Sequence, residues 1–317
     1  MKITFLVDDV WNFNKLIADR LQQKKHTITF IDSSKIHFSY KNNVQRITNF
    51  FNKTFFNKNI KKGFLERSLV QTIENLPLQD CIIIINPDTF SPQIVNLLKF
   101  KTKRYIAHNY DSLDRHPLPV NHTELFHQVF SFDIQDVQKN NFITLLNNFI
   151  YTEKKVSIEP KNKMFMILSK SKEREIILSK IADALDRKNI TNYELIVVNP
   201  EFTEKINKNI VLTTKSISLD DVIKKVDNAE ILIDLVRTNQ SGLSFRFFEA
   251  MAFHKKIITN NKNVMLYDFY NPNNILVIND DFTEIDDAFL NKAYEPVPEN
   301  IYKNYTIDAW IKTAFNL

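Results

Sequence analysis

Two doubly wound α/β domains in tandem are the fold class that the sequence predicts, and three observations lead to it. Short apolar runs alternate with longer amphipathic stretches along nearly the whole chain, which is the rhythm of βαβ units and parallel sheets. A charged stretch with a proline, residues 152–163 (TEKKVSIEPKNK), interrupts that rhythm near the middle and reads as a linker. The 317 residues, 44% of them hydrophobic, suffice for two cores of ordinary size.

In the first half, residues 2–7 read as a strand, 11–23 as a helix and 27–31 as a strand. Residues 44–57 and 64–73 follow as helices, 81–85 as a strand, 91–98 as a short helix, 104–108 as a strand and 129–132 as the last short strand. No Gly-x-Gly-x-x-Gly fingerprint is present, which argues against a dinucleotide oxidoreductase. The second half repeats the pattern, with a strand at 164–168, a helix at 174–188, a strand at 194–198 and a helix at 219–227. A strand at 274–278 and an amphipathic helix at 307–315 close the chain. The expected domains are residues 1–152 and 163–300, with 301–317 as a C-terminal segment.

The most informative segment is residues 230–260, EILIDLVRTNQSGLSFRFFEAMAFHKKIITN. An apolar run ending in Asp234 reads as a buried strand, 237–241 as a polar loop, 242–253 as a helix and 256–259 as a returning strand. The helix is expected to open at Ser241-Gly242, and helix openings in such units bind anions through backbone N–H groups. Gly242, one of only 2 glycines, permits a tight turn or close approach of a ligand to the backbone. Arg246 and Glu249 lie three residues apart on one face. A cation for phosphate oxygens and a carboxylate for ribose hydroxyls suit a nucleotide diphosphate; a capped helix with a surface ion pair is the plainer alternative.

This segment resembles the C-terminal signature of GT-B glycosyltransferases, particularly bacterial enzymes of lipopolysaccharide and capsule assembly. The matching residues are Asn239, Gln240, Ser241, Gly242, Leu243, Ser244, Arg246, Glu249, Ala250, Lys256, Ile258, Thr259 and Asn260. The resemblance implies that Glu249 holds the donor ribose and that the loop and helix start hold the pyrophosphate. The commoner form of the motif has a second glutamate where this chain has Ser241, so the stereochemical outcome stays open. Two further stretches resemble the same group: Tyr105–Asp111 (YIAHNYD) with QVFSFD at 128–133 and Asp136, and MFMILSKSKER at 164–174. The resemblance also implies two domains facing a cleft, with the C-terminal helix crossing back to the first domain.

Composition narrows the setting. The single Cys81, in an apolar strand, excludes disulfides and fits a reducing compartment. No secretory leader is visible at residues 1–7, and no apolar run approaches the length that spans a bilayer. A cytoplasmic protein is expected, with a peripheral contact at the inner face of the membrane as a further expectation. The net charge of +5 and pI near 9.0 are spread over many lysines and read as compositional bias, so no nucleic-acid partner is expected. Between residues 51 and 67, Phe51, Phe55, Phe56 and Phe64 interleave with Lys53, Lys58, Lys61, Lys62 and Arg67. Such a face lies on an anionic membrane or covers the sheet with a solvated basic side; both readings stay open.

In two-domain folds of this kind the chemistry sits at the carboxyl ends of the strands. The candidates are Asp8, Asp9 and Trp11 after the first strand, Asn86 and Asp88 after the third, and His108, Asn109, Tyr110 and Asp111 after the fourth, with Asp133 after the fifth. For a base that deprotonates an acceptor hydroxyl, Asp111, Asp9 and His108 are the candidates. Asp9 equally suits a helix N-cap, and His108 equally suits a satisfied histidine at a strand end. For the donor, Ser169, Lys170, Arg174, Arg237, Asn239, Gln240, Ser241, Gly242, Leu243, Arg246 and Glu249 are the expected residues, the basic ones stabilising a leaving diphosphate. No His-x-x-x-His, Cys-x-x-Cys or Asp-x-Asp spacing exists, and Asp8-Asp9, Asp220-Asp221 and Asp280-Asp281 make poor metal clamps, so no metal or other cofactor is expected.

The expected function is therefore metal-independent sugar transfer from a nucleotide sugar to a glycan or lipid-linked acceptor. A nucleotide-sugar epimerase or phospho-unit transferase on the same fold, and a non-enzymatic basic nucleic-acid- or membrane-binding protein, are the alternatives.

Overall fold

The computed structural model describes residues 1–56, 59–152, 159–199, 201, 207–279 and 284–317, without the side chains of residues 52, 53, 55 and 56. Lys58, the Asp280-Asp281 pair, half of the expected linker (residues 153–158), and the side chains of Lys53, Phe55 and Phe56 lie outside the described residues. The chain divides into two compact units. One comprises Met1–Phe132 and Asp136–Leu145, the other Asp133–Gln135 and Leu146–Leu317.

The first unit is built on a wholly parallel sheet of β1 (Lys2–Val7), β2 (Thr27–Asp32), β3 (Gln79–Ile85), β4 (Thr102–Asn109), β5 (Gln128–Ser131) and β6 (Ile143–Leu145), in the order β2-β1-β3-β4-β5-β6. Parallel strands covered on both faces carry continuous apolar runs, and Cys81–Ile85 is buried throughout. The strand order reverses direction between β1 and β3, so the loops after these two strands flank the crevice of this sheet.

The second unit repeats the architecture with β7 (Asn162–Ser169), β8 (Tyr193–Val198), β9 (Val211–Thr213), β10 (Ala229–Asp234), β11 (Lys256–Thr259) and β12 (Ile275–Val277). All its pairings are parallel, in the order β12-β11-β10-β7-β8-β9. Counted within the unit this is the dinucleotide-fold order 3-2-1-4-5-6, and its reversal lies between β7 and β10. One face of the sheet is covered by the helix Phe245–Phe253, whose Phe247, Phe248, Met251 and Phe253 are buried. The other is covered by Lys172–Arg187 through Leu178, Ile181 and Leu185. Lys255 and Lys256 are buried too: their ammonium groups donate to main-chain carbonyls, Lys255 to Asp227 (2.7 Å) and Lys256 to Lys292 (2.7 Å). The paired lysines of the KKIITN stretch thus tie loops to the sheet. The closing helix, Ile307–Phe315, packs Trp310 edge-on against Phe149, while Ile150 pairs with Thr306. Phe149 and Ile150 fall within residues 1–152 but cluster with the second unit.

Three local expectations differ from the fold. Residues 129–132 do not hold the last strand of the first sheet; β6 follows at Ile143–Leu145, too short for its period to register in the sequence. β4 runs on through Asn109, so His108 and Asn109 lie inside the sheet and not in the loop beyond it. The helix of the signature segment begins at Phe245 instead of Gly242, because Ser244 is its N-cap and Leu243 turns into the core.

Candidate active site

The strand ends at the reversal point of the second sheet bring together most of the donor candidates. β7 ends at Ser169, followed by the exposed Lys170. Arg174, in the first turn of the next helix, donates from Nη2 to the Ser169 carbonyl (2.8 Å). From the loop after β10, Arg237 donates from Nη2 to the Ser169 hydroxyl (2.9 Å), and the Thr238 hydroxyl donates to Glu173 (2.5 Å). Three cationic side chains, Lys170, Arg174 and Arg237, thereby stand around the ends of the two strands that flank the crevice. Such a constellation suits the charge of a diphosphate.

The loop itself is shaped by asparagines. Asn239 takes the left-handed conformation (φ 61°), which asparagine tolerates better than most residues. Gly242 does not have positive φ. Asn260 accepts from the Val236 N–H (2.8 Å), and Asn261 donates to the carbonyls of Ser241 (3.1 Å) and Gly242 (3.2 Å). Gln240 is half-buried, its N–H bonded to the Arg237 carbonyl (3.2 Å). The Leu243 carbonyl accepts from buried Asn148 (2.8 Å).

The N–H groups expected to receive a pyrophosphate are engaged by a side chain of the protein. Asp133 accepts from the Ser241 N–H (2.6 Å), the Gly242 N–H (3.1 Å) and the Ser241 hydroxyl, and also from the Gln135 N–H (2.9 Å). Asp133 and Ser241 are each 2% exposed. A carboxylate satisfying several donors at once is the arrangement a phosphate would adopt there, so this turn is an anion seat filled from within.

Arg246 and Glu249 form the expected i,i+3 ion pair, but inside the protein and not on its surface. Arg246 Nη1 donates to Glu249, whose other oxygen accepts from the Tyr151 hydroxyl. The guanidinium also lies over the Phe165 ring, 5.4 Å from its centroid. Glu249 is 3% exposed. Asp234, at the end of β10, accepts from the Ser244 hydroxyl (2.6 Å), which itself caps the Arg246 N–H (3.1 Å). Burial holds the Asp234 and Glu249 carboxyls above their ordinary range, while Arg246 and the hydroxyl donors pull them down. Tyr151 is pushed far up by burial and by Glu249, so it stays a donor.

In the first unit the three expected bases occupy unlike environments. Asp9 is 3% exposed and accepts from the Lys15 N–H (2.8 Å), the Asn14 N–H (3.3 Å) and the Asn14 amide (3.2 Å), so it satisfies first-turn N–H groups of the helix Phe13–Gln23, although the N-cap position itself is Asn12. Burial raises its carboxyl, and those hydrogen bonds oppose the rise. His108 is wholly buried, its ring tilted against Tyr110 at 4.3 Å. Asp111 accepts from the Ser112 N–H (3.0 Å) and forms an ion pair with Arg115.

A pairing that the spacing of residues did not suggest lies beside Asp111. His116 places Nδ1 2.9 Å from both carboxylate oxygens of Asp88, while its Nε2 stands 4.0 Å from Asp111. The backbone fixes both partners. Asp88 sits in a 3-10 turn after β3, and Asn86 at the head of that turn accepts from the Tyr110 N–H (2.9 Å). The His116 N–H donates to the Ser112 carbonyl (2.9 Å), and its carbonyl accepts from Asn109 (2.7 Å). Asp88 was a candidate by its place after a strand; His116, 28 residues further on, carried no signal in the sequence.

No family model matches the sequence, and no curated protein does. Solved structures match over almost the whole chain. An α-glucosyltransferase in complex with UDP and a 13-mer DNA containing an HMU base gives a TM-score of 0.58 at 15% identity, covering 99% of this chain and 98% of that one. The lipopolysaccharide outer core galactosyltransferase WaaB in its apo form gives 0.51 at 14% identity, covering 100% and 96%. The UDP-GlcNAc 2-epimerase from Methanocaldococcus jannaschii gives 0.53 at 14%, covering 99% of each chain. At such identities the likeness is one of fold: this chain has the fold, two Rossmann-like domains in succession, of GT-B glycosyltransferases and of a nucleotide-sugar epimerase.

Proposed function

We propose that the protein is a glycosyltransferase that binds the diphosphate of a nucleotide sugar at the β7/β10 end of its second domain and transfers the sugar to a hydroxyl acceptor. The observation that carries this reading is the set of cations at one reversal point: Arg174 and Arg237 converge on Ser169, and Lys170 follows it. Crevices at such points are where open α/β sheets bind ligands, and cations there offset the charge that develops on a departing diphosphate. In this reading the buried Arg246–Glu249 pair and Tyr151 fix the wall of the donor site, and transfer needs no divalent metal. UDP is the nucleotide to try first, since the α-glucosyltransferase of like fold was solved with it.

A lipid-linked glycan of surface-polysaccharide assembly is the acceptor that the first domain favours. Between residues 33 and 65 there are seven Lys and Arg and no Asp or Glu. Within that stretch, the helix Asn43–Phe56 exposes Val44 (70%), Ile47 (57%), Phe50 (66%) and Phe51 (52%), and Lys41, Arg46, Lys61 and Lys62 are exposed as well. Apolar residues at this spacing form one stripe, and such a stripe in a basic stretch suits an anionic lipid surface. DNA, present with the α-glucosyltransferase, would use the cations but would leave the aliphatic stripe without purpose. The deciding experiment incubates the protein with UDP-glucose, UDP-galactose and UDP-N-acetylglucosamine, with and without acceptors, and identifies the products. Sugar joined to an acceptor supports transfer; an epimerised donor formed without any acceptor would contradict it.

A further inference from the structure

We propose that Asp133 is a built-in competitor of the donor diphosphate: its carboxylate occupies the turn at Ser241 and Gly242, and it yields that turn to a phosphate group by moving to the hydroxyl of Tyr267. This inference rests on the sugar-transfer reading above and adds to it a regulation of the same donor site. Asp133, Gln135, Ser241, Gly242, Asn261 and Tyr267 all belong to the second compact unit.

The turn is shaped for an anion whether or not Asp133 fills it. Ser241 and Gly242 aim consecutive N–H groups at one carboxylate oxygen of Asp133, at 2.6 and 3.1 Å, while the Ser241 hydroxyl and the Gln135 N–H (2.9 Å) meet the other oxygen. Successive N–H groups converging on one point make a concavity that takes anions. Asn261, 1% exposed, braces this turn from the next loop by donating to the Ser241 and Gly242 carbonyls (3.1 and 3.2 Å). The N–H groups therefore keep their aim when one anion takes the place of another. The turn also shares the loop after β10 with Arg237, one of the cations of the reversal point.

The Tyr267 hydroxyl is a second, independent observation. Tyr267 ends the short helical turn that Asn261 opens, Lys262–Leu266, and is 7% exposed. Among the described residues its buried hydroxyl has no hydrogen-bond partner. Burial, and then the charge of Asp133, raise its pKa, so the group keeps its proton and stands within the field of that carboxylate. A buried donor left unpaired is costly, and the second position of Asp133 removes the cost. With a phosphate oxygen on the turn and Asp133 on Tyr267, every one of these donors has an acceptor. Without an anion, departure of Asp133 would empty the turn, so the carboxylate stays. The exchange is thus tied to the ligand, and the apparent affinity for a diphosphate is its intrinsic affinity reduced by the fraction of molecules in which the turn is free.

The test titrates UDP, inorganic pyrophosphate and uridine into the parent, Asp133→Asn and Tyr267→Phe by calorimetry. Asparagine keeps the size of aspartate but not its charge, so it holds the turn less firmly against a phosphate. If the turn is free in about 1–10% of parent molecules, Asp133→Asn should bind UDP and pyrophosphate about 10–100-fold more tightly, and uridine, which has no phosphate, unchanged. Tyr267→Phe removes the second position and should bind UDP and pyrophosphate about 3–10-fold more weakly, again with uridine unchanged. An aspartate with a structural role alone would give neither the gain nor its dependence on phosphate. A parent that binds UDP while folded Asp133→Asn binds it no more tightly overturns the competition alone. If that variant does not fold, Tyr267→Phe decides, and UDP binding equal to the parent's overturns it. A parent that binds neither UDP nor pyrophosphate overturns the diphosphate reading, and this inference with it.

Discussion

Arg237, in the loop after β10, donates to the hydroxyl of Ser169 at the end of β7 across 2.9 Å, bridging the two strands between which the order of the second sheet reverses. Arg174 reaches the carbonyl of the same serine. One small residue therefore holds two guanidinium groups where a diphosphate is expected. A phosphate oxygen is an alternative acceptor for guanidinium N–H groups, and arginine's planar fork suits it.

The Arg246–Glu249 pair is expected to matter for folding before it matters for binding. Both side chains are nearly buried, and removing one leaves the other's charge without its partner. Arg246→Ala or Glu249→Ala should each cost about 3–5 kcal/mol, whereas an Arg246→Met/Glu249→Leu double variant should cost less than the two single losses added together. Urea unfolding of the three variants measures this. Additive losses would mean that the two charges are not coupled.

Asp133 fills the turn at Ser241 and Gly242, so its removal should loosen that turn and leave the cationic site intact. Asp133→Ala is expected to destabilise the protein by about 1–3 kcal/mol for each buried N–H left unsatisfied. UDP affinity, taken at a temperature where the variant is folded, should not fall. A large loss of UDP affinity in a folded Asp133→Ala protein would mean that this turn belongs to the nucleotide site.

The stripe on the helix Asn43–Phe56 predicts binding to anionic vesicles. Each Lys or Arg near such a surface contributes about 1 kcal/mol, so Lys61→Glu with Lys62→Glu should weaken partitioning by about 2 kcal/mol or more, and added salt should weaken the parent as well. Ile47→Ser should weaken it without altering the charge. Sedimentation with neutral and anionic liposomes reads all of this. Equal partitioning of parent and variants, or binding to duplex DNA with the same salt response and none to vesicles, would remove the lipid assignment.

Transfer is expected to persist in EDTA, because Arg174, Arg237 and Lys170 supply the positive charge that a metal would otherwise bring to the departing diphosphate. Activity that disappears with the chelator and returns with magnesium or manganese would contradict this.

The parts of the fold that sequence revealed are those where burial writes a continuous pattern. The apolar runs of β1, β3, β10 and β11 and the amphipathic helix Ile307–Phe315 were visible because one period governs each of them. The strands β6 and β9, of three residues each, lie in no longer apolar run, whereas β12, equally short, lies in the apolar run at 275–278 and was legible. In the site, Arg246 and Glu249 were legible as a pair because helical spacing alone brings them together; that they are buried was not, since it depends on Phe165 and Tyr151 arriving from elsewhere in the chain. Contacts made only by the fold left no local trace. Asp88 meets His116 because β3 and β4 are neighbours and their loops converge, and Asp133 meets Ser241 across 108 residues. The helix start was misplaced by three residues because Ser241 and Ser244 are both good caps, and the choice between them falls to Leu243, which is 1% exposed in the core.

The central claim is that the second domain binds a nucleoside diphosphate through the cations at the β7/β10 reversal point. Isothermal titration of UDP into the parent and into Arg237→Ala tests it most directly, because Arg237 is only half-buried and its loss leaves no buried charge behind. The account predicts that the parent binds one UDP and that Arg237→Ala binds it more weakly by about 1.5–3 kcal/mol, the worth of a charge-assisted hydrogen bond. No binding of UDP by the parent, or equal binding by the folded variant, would contradict it.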